Sequence, residues 1–213
     1  MLVVIADISL REIKKARAKI ALYEASVSLM EDKMFHEVML EDICRQAEVS
    51  RVTFFKFFPK KEDVLVYFMR VWLTERIIEI EQEKKQGFDA IRHLLYKVAE
   101  QTKVTPGILP SLISFLAEMR MHPHLQELSE AEVRLLFPDH EEIGSSTPDL
   151  YKIFHTSMEH AEKSGTLKDG ISLERAVKVL FTIFYGSFLT AQQYASTDIV
   201  GFYEIHLQLL EKG

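Results

Sequence analysis

The sequence predicts an all-α fold, and three features lead to that prediction. Glycine and proline are scarce, at 8 and 6 of 213 residues, so the chain has few of the residues that turns require. Residues that favour helices, such as Leu, Glu and Lys, are abundant. Apolar residues recur at steps of three and four along most of the chain, which is the period of an amphipathic helix. Together these features indicate roughly nine helices and exclude a β-sandwich or barrel, which needs many more turns.

The N-terminal helices are short and closely spaced. Apolar residues from Ile13 to Met30 recur with helical spacing, and two shorter helical segments follow. The predicted helices cover residues 11–32, 40–47 and 50–57. Only Glu48 and Val49 separate the second from the third, so the chain must turn tightly there.

The central and C-terminal helices are separated by breakers. Pro59 interrupts the helical pattern, because proline lacks an N–H and disfavours helix in the preceding residue. A long helix then runs from about Lys61 to Gln86, and Gly87 is predicted to supply its left-handed C-terminal cap. Later helices are predicted over 88–101, 111–121, 123–136, 148–165, 172–194 and from 198 to the C-terminus, with an acidic loop over 138–147. We divide the chain where this long helix begins, into residues 10–60 and 61–213.

Charge is unevenly distributed along the chain. The net charge is −6, but residues 11–61 hold 11 Lys or Arg against 8 Asp or Glu. The basic residues between positions 45 and 61 are Arg45, Arg51, Lys56, Lys60 and Lys61. A basic patch on an acidic body is compatible with phosphate binding, because only the docking face must attract the polyanion. Taken alone, the same cluster is better explained as a solvated helix face, and it indicates phosphate binding only together with a motif.

The strongest motif is the string VSRVTFFKFFPKKEDVL, from Val49 to Leu65. Ser50 occupies an N-cap position, and the polar and basic residues that follow it, Arg51, Thr53 and Lys56, include several on one helical face. With its upstream helix LEDICRQAEV, this string resembles the signature of the TetR family of transcriptional regulators. The signature and its supporting helices cover about residues 11–72.

The resemblance implies a fold and a separate function for each of the two parts of the chain. Residues 10–60 would form a three-helix helix-turn-helix DNA-binding domain, with a recognition helix at about 50–57 that enters the major groove. Residues 61–213 would form a helical effector-binding and dimerisation domain. The residues expected at DNA, from the family's roles and the basic patch, are Arg45, Ser50, Arg51, Thr53, Phe55, Lys56 and Lys61.

The chain departs from the family pattern at several of these positions. Phe55 replaces the usual tyrosine, so it offers an apolar contact in place of a hydroxyl on phosphate. Met39 replaces a threonine that normally caps the second helix. Glycines are replaced by Met34, Glu48 and Val52, and Glu48 must then adopt a left-handed conformation in the tight turn.

The C-terminal helices carry two further predictions. The segment 176–194 is apolar nearly all round, so it must be buried on most sides, either as core or against a second copy of the chain. The expected dimer-interface residues are Phe181, Phe184, Phe188, Phe202, Ile205 and Leu209. The expected ligand-binding residues, which could also be plain core, are Trp72, Tyr96, Phe115, Met119, Phe154, Met158 and Tyr185. Few charges lie among them, so an apolar or amphipathic effector is expected.

The cysteine and several histidines, which are residue types that can react or bind metals, are interpreted as structural or surface residues. Cys44 is predicted to be a small core residue, and as the single cysteine it forms no internal disulfide. His122 and His124 flank a proline and are predicted to be surface residues without a metal. The pair His155 and Glu159 is predicted to be solvated. Because no catalytic or nucleotide-binding motif is present, we expect no enzyme activity, cofactor or metal.

These observations predict a ligand-responsive repressor. It would bind operator DNA as a homodimer and release it when a small apolar or amphipathic effector binds the C-terminal domain. The first ten residues lack the features of a signal peptide and the longest apolar stretch is shorter than the roughly 20 residues of a membrane span, so a cytoplasmic location is expected. The alternatives are a DNA-bound architectural or scaffolding protein without an effector, and a helical enzyme or carrier, which would leave the basic patch unexplained.

Overall fold

The structure is a computed structural model that describes residues 8–119 and 124–213, and within these residues every extended regular element is a helix. The helices are α1 Leu10–Ser28, a 3₁₀ helix Phe35–Glu37, α2 Leu40–Gln46, α3 Arg51–Phe57, α4 Asp63–Gln82, α5 Gly87–Val104, α6 Ile108–Met119, α7 Glu130–Leu136, α8 Glu141–Ser145, α9 Leu150–Lys163, α10 Leu173–Gln193 and α11 Ile199–Leu207. The all-α prediction is confirmed. No helix in the described ranges is both long enough and apolar enough to cross a membrane.

The chain divides into two compact units. The first contains the described residues of Met1–Glu75 and Val104–Pro148, and the second contains Arg76–Lys103 and Asp149–Gly213. The segment predicted as the DNA-binding domain, residues 10–60, lies in the first unit together with the first part of α4. The boundary at residues 60 and 61 stays a prediction.

The core of the first unit gathers around α1, which packs against α2, α3 and α7. Its centre is formed by fully buried apolar side chains, among them Leu22, Ile43, Phe54 and Phe58. Cys44 is buried beside them, and burial raises the pKa of its thiol. The predicted role of Cys44 as a core residue therefore agrees with its position.

A close backbone approach attaches residues 104–148 to the N-terminal helices. The amide of Gly107 donates to the carbonyl of Glu31 over 3.2 Å. A Cβ atom at position 107 would lie only 1.8 Å from the carbonyl oxygen of Lys33, so only glycine fits there. The Phe35 amide also donates to the buried hydroxyl of Ser111 over 2.8 Å.

The second unit is built around α10, which packs against α9 and α11. Its fully buried side chains include Phe154, Phe188 and Tyr203. Short side chains at the N-caps set the helix starts: the Asp149 carboxylate accepts from the amides of Tyr151 and Lys152, and Ser172 caps α10.

Some helices begin or end at other residues than predicted, because local hydrogen bonds determine where they start. The helix predicted from Pro123 begins at Glu130, because Ser129 and Glu132 form a reciprocal capping box. Residues 120–123 lie outside the described residues. The loop predicted over 138–147 contains α8, which accounts for part of the difference between about nine predicted helices and the eleven α-helices described.

The predicted C-terminal cap of α4 was wrong in detail. Lys84, with φ of +52°, takes the left-handed position after α4, and the Lys85 amide donates to the Ile80 carbonyl over 3.0 Å. Gly87 also has a positive φ, of +56°, but it is the first residue of α5. The chain therefore turns three residues earlier than predicted.

Candidate nucleic-acid interface

The predicted recognition helix exists as α3, and its first turn is held by Ser50. The Ser50 hydroxyl oxygen accepts from the Thr53 amide over 3.2 Å, and the two hydroxyl oxygens lie 2.9 Å apart. Both residues therefore stand at the helix N-terminus, where backbone amides and the helix dipole favour a phosphate.

The turn between α2 and α3 uses a left-handed glutamate. Glu48 has φ of +53°, as the replacement of glycine implied. The Val49 amide donates to the carbonyl of Cys44 over 2.9 Å and closes the end of α2. This turn joins α2 directly to α3.

The two faces of α3 differ in burial. Phe54 and Phe58 are fully buried in the three-helix core. On the opposite side, Val52 and Phe55 are 68% and 44% exposed. Their apolar surface beside the basic side chains of α3 suits contacts with thymine methyl groups.

The basic residues around α3 are exposed and partly paired. Arg51 and Lys56 are both exposed, and the Arg51 guanidinium lies 2.8 Å from the Glu41 carboxylate. Arg45 forms a similar exposed ion pair with Asp42, one turn earlier on α2. Exposed pairs contribute only about 0–1 kcal/mol each, so both guanidinium groups can exchange a carboxylate for a phosphate at low cost.

Lys61 has an internal role that the sequence did not reveal. Its ammonium donates to the Val38 carbonyl over 2.6 Å and the His36 carbonyl over 3.3 Å. It also lies 4.9 Å from the centre of the Phe35 ring, and burial lowers the pKa of Lys61. Lys61 thus stabilises the 3₁₀ turn, and its contact with phosphate stays a prediction.

Met39 occupies the N-cap of α2 without a side-chain hydrogen bond. Its side chain is 60% exposed. Because a thioether cannot replace the hydroxyl of the usual threonine, the first amides of α2 have no side-chain cap from this residue.

The predicted ligand-binding residues are divided between the two units. Trp72, Phe115 and Met119 belong to the first, whereas Tyr96, Phe154, Met158 and Tyr185 belong to the second. Phe154 and Met158 are fully buried, and Met119 is 39% exposed. That the seven residues line one cavity stays a prediction.

The predicted dimer residues lie on α10, on α11 and, in the case of Leu209, in the turn that follows α11. Phe184 and Phe188 are buried within the chain, and Phe181 and Phe202 are half-buried. Ile205 and Leu209 are 63% and 62% exposed. The last two are therefore the ones whose apolar surface a second copy would cover.

The histidines that the structure describes are not grouped into a metal site. Within the described part of the chain, no group of three or more His, Cys, Asp or Glu side chains could hold a metal ion. His124 is exposed, His155 and Glu159 form a long pair at 3.9 Å, and His122 lies outside the described residues.

Sequence reasoning missed a buried polar network in the first unit. The Glu132 carboxylate of α7 lies 2.8 Å from the Lys19 ammonium of α1 and accepts from the Tyr67 hydroxyl of α4 over 2.8 Å. Arg70, also on α4, is completely buried. One signal was available: Arg70 is the only charged residue in the apolar run 64–73.

An exposed α3 with basic and apolar side chains, supported by α1 and α2, defines a helix-turn-helix DNA-binding protein. Residues 22–68 match the sequence model of bacterial regulatory proteins of the tetR family. The resemblance stated from the motif at Val49–Leu65 is thus confirmed, and residues 22–68 carry the DNA-binding domain of tetR-family regulators.

Comparisons over most of the chain found one similar curated protein and solved structures with the same fold. The chain is 22% identical over 169 residues to the fatty acid metabolism regulator protein of Bacillus subtilis (strain 168), covering 79% of this chain and 80% of that one. It has the fold of Thermus thermophilus FadR, a TetR family transcriptional repressor in complex with lauroyl-CoA (24% identity, TM-score 0.54, covering 90% and 92% of the two chains). A TetR transcription regulator from Haloarcula marismortui also shares it (14% identity, TM-score 0.59, covering 94% and 100%).

Proposed function

We propose that this protein is a dimeric repressor that releases operator DNA when a small amphipathic effector binds the helices after α3. The outward face of α3 carries the proposal. It presents Arg51 and Lys56 as cations and Val52 and Phe55 as apolar contacts, all exposed. Cations attract the phosphates of any sequence, whereas contacts at base edges select one sequence.

Two findings support an effector that contains an acyl chain. The similar Bacillus subtilis protein is a regulator of fatty acid metabolism, and the Thermus thermophilus protein of the same fold was crystallised with lauroyl-CoA.

In addition, α1 of the DNA-binding domain packs against α7, so a structural change outside residues 10–60 can be transmitted to α3. An architectural protein would need no such transmission.

DNA binding is tested with the full-length protein and two matched variants. Lys56→Ala should weaken binding to operator and random DNA alike and lower the slope of log affinity against log salt by about 1. Lys152→Ala, at an exposed position on α9, should leave both quantities unchanged. The operator is first selected from a genomic library that includes the DNA upstream of the protein's own gene.

The repressor proposal and the architectural alternative differ in two readouts. A regulator should select a few promoter fragments and release them when lauroyl-CoA is added at micromolar concentration. Binding to many dispersed fragments, unaffected by lauroyl-CoA and by other acyl compounds, would support the architectural alternative. Equal effects of Lys56→Ala and Lys152→Ala would contradict the placement of α3 at the DNA.

A further inference from the structure

The guanidinium of Arg70 is buried in the first unit with an incomplete set of partners. Its Nη2 atom donates to the carbonyls of Gly144 over 2.7 Å and Ser146 over 2.9 Å, and its Nη1 atom donates to the Thr74 hydroxyl. The Nε–H has no acceptor among the described residues. A buried donor without an acceptor is costly, and a charged one more so.

The buried charges of this unit do not balance. Arg70 takes part in no ion pair within residues 8–119 and 124–213, and all three of its acceptors are neutral. The carboxylate whose charge acts on it, Glu132, already binds Lys19, Tyr67 and Ser129. The buried ionic groups of the described first unit are therefore two cations, Lys19 and Arg70, and one anion. Burial lowers the pKa of Arg70 for the same reason, although an arginine stays charged.

The acceptors that cover Arg70 belong to a short helix. Gly144 lies within the five-residue α8, and Ser146 follows it, so both carbonyls are at the negative end of a helix dipole. A Cβ atom at position 144 would lie 2.9 Å from Val133 and 2.8 Å from Phe137, so α8 rests directly on α7 and the residue after it. A helix of this length is held by its contacts and not by its own stability, so it can be displaced.

We propose that Arg70 binds the anionic group of the effector, a carboxylate or a phosphate, whose oxygens take the place of the Gly144 and Ser146 carbonyls. The Nε and Nη2 atoms form one edge of the guanidinium, on which such a group accepts two parallel hydrogen bonds. The incoming anion would satisfy the Nε–H and supply the missing negative charge. This proposal rests on the proposed function and adds that the amphipathic effector must be an anion.

Replacement of the Gly144 and Ser146 carbonyls by an anion would also affect the DNA-binding helices. Loss of its Arg70 contacts would free α8 from α4, and α8 packs on α7. The Glu132 carboxylate of α7 is paired with Lys19 on α1, which supports α3. An anion at Arg70 would therefore favour the arrangement of α7 that binds DNA less well, provided it binds that arrangement more tightly.

The only tryptophan in the chain makes the binding test direct. Trp72 lies two residues after Arg70 on α4 and is buried, so its fluorescence reports on this region. The full-length protein is titrated with lauroyl-CoA, laurate and dodecanol, each below its critical micelle concentration. At least one anion should bind tenfold or more tightly than dodecanol, which has the same chain length and no charge. Tight binding of laurate would identify a carboxylate as the group that Arg70 binds. Tight binding of lauroyl-CoA but not of laurate would identify a phosphate.

Substitution of Arg70 separates charge from hydrogen-bond geometry. Arg70→Met should abolish the tenfold preference for the anion, and Arg70→Lys should retain part of it. Arg76→Met, at a second buried arginine already paired with Glu79, is the matched control and should keep the full preference. Thermal unfolding identifies any variant that does not fold, and the wild-type comparison of the three probes needs no variant.

Two results would overturn the proposal. One is equal affinity of the wild-type protein for dodecanol and both anions, or no binding of either anion. The other is an unchanged preference in folded Arg70→Met. DNA binding by the wild-type protein is measured in parallel without any probe. Absence of that binding would refute the proposed function, whereas the titrations above test the role of Arg70.

Discussion

At the scale of single residues, some of the cations predicted to face DNA are already engaged within the chain. Arg51 pairs with Glu41, and Lys61 donates to two backbone carbonyls. The charge available to DNA is therefore smaller than the number of basic residues in the segment 45–61 implied. If these residues bind DNA as predicted, exchange of these partners for phosphate would be part of the binding equilibrium.

The Arg51–Glu41 pair gives a prediction about affinity. Glu41→Gln should raise affinity for DNA by up to about fivefold, because Arg51 no longer gives up an ion pair worth about 0–1 kcal/mol. Fluorescence anisotropy at low and high salt measures the change, which should shrink as salt rises. Glu174→Gln breaks a comparable exposed pair with Lys178 on α10 and should have no effect. A weaker-binding Glu41→Gln would mean that Glu41 positions Arg51 productively.

The left-handed Glu48 gives a prediction about stability. Glu48→Gly should raise the free energy of unfolding by about 1 kcal/mol, because a Cβ atom disfavours φ of +53°. Chemical denaturation measures this change. Glu48→Ala removes the same charge but keeps the Cβ atom, so a gain in Glu48→Ala as large as in Glu48→Gly would assign the effect to charge.

At the scale of elements, the pairing of α1, α4 and α7 depends on one carboxylate. Burial acts to raise the pKa of Glu132, but hydrogen bonds from Lys19 and Ser129 outweigh it and hold the pKa below its ordinary value. The Lys19 ammonium also lies 4.5 Å from the centre of the Tyr67 ring. Glu132 therefore contributes to stability only while it is ionised.

Neutralising Glu132 should destabilise the protein in a pH-dependent way. Glu132→Gln should lower the free energy of unfolding at pH 7 by about 3 kcal/mol, because it leaves the buried Lys19 unpaired. Since the folded pKa is depressed, the contribution is complete above the unfolded pKa of about 4.3 and is lost as the pH falls towards the folded value. The wild-type protein should lose stability over that acid range, and Glu132→Gln should lose less. Parallel curves for the two proteins would contradict this role.

A double variant measures the interaction energy between Lys19 and Glu132. Lys19→Met with Glu132→Gln should recover some of the loss, because no buried ammonium remains without a carboxylate. Strict additivity of the two single losses would mean that the two side chains do not interact energetically.

At the scale of the whole molecule, the proposed repressor would bind DNA as two copies, and we propose that residues of α10, α11 and the turn after α11 form the surface between them. Ile205 and Leu209 are large apolar residues that the chain itself leaves exposed. Exposed apolar area of this kind is typical of an interface. Two-fold symmetry would then present two α3 helices to successive major grooves.

Charges on this surface should separate the copies. The variant with Ile205→Glu and Leu209→Glu should be a monomer by light scattering and should bind operator DNA at least tenfold more weakly, because each half-site is then bound independently. Val104→Glu, at another exposed apolar position on α5, should remain a dimer with normal affinity. A dimeric double variant would exclude these residues from the interface.

Several features followed from sequence alone because they depend on neighbours a few residues apart. The all-α fold, the Ser50 cap, the left-handed Glu48 and the motif from Val49 to Leu65 are of this kind. Caps, helical periodicity and turn conformations act within one or two turns, so a single sequence carries their signal.

Other features were decided only by tertiary structure. Two of the three acceptors of Arg70 lie 74 and 76 residues away in sequence, and the Tyr67 hydroxyl donates to a carboxylate 65 residues away. Whether a buried charge is paired, or a lysine such as Lys61 is held by carbonyls, depends on which helices pack together. The sequence therefore determined the class of protein and its DNA-binding helix, whereas packing determined the buried ionic groups, because electrostatic partners are chosen by distance in space.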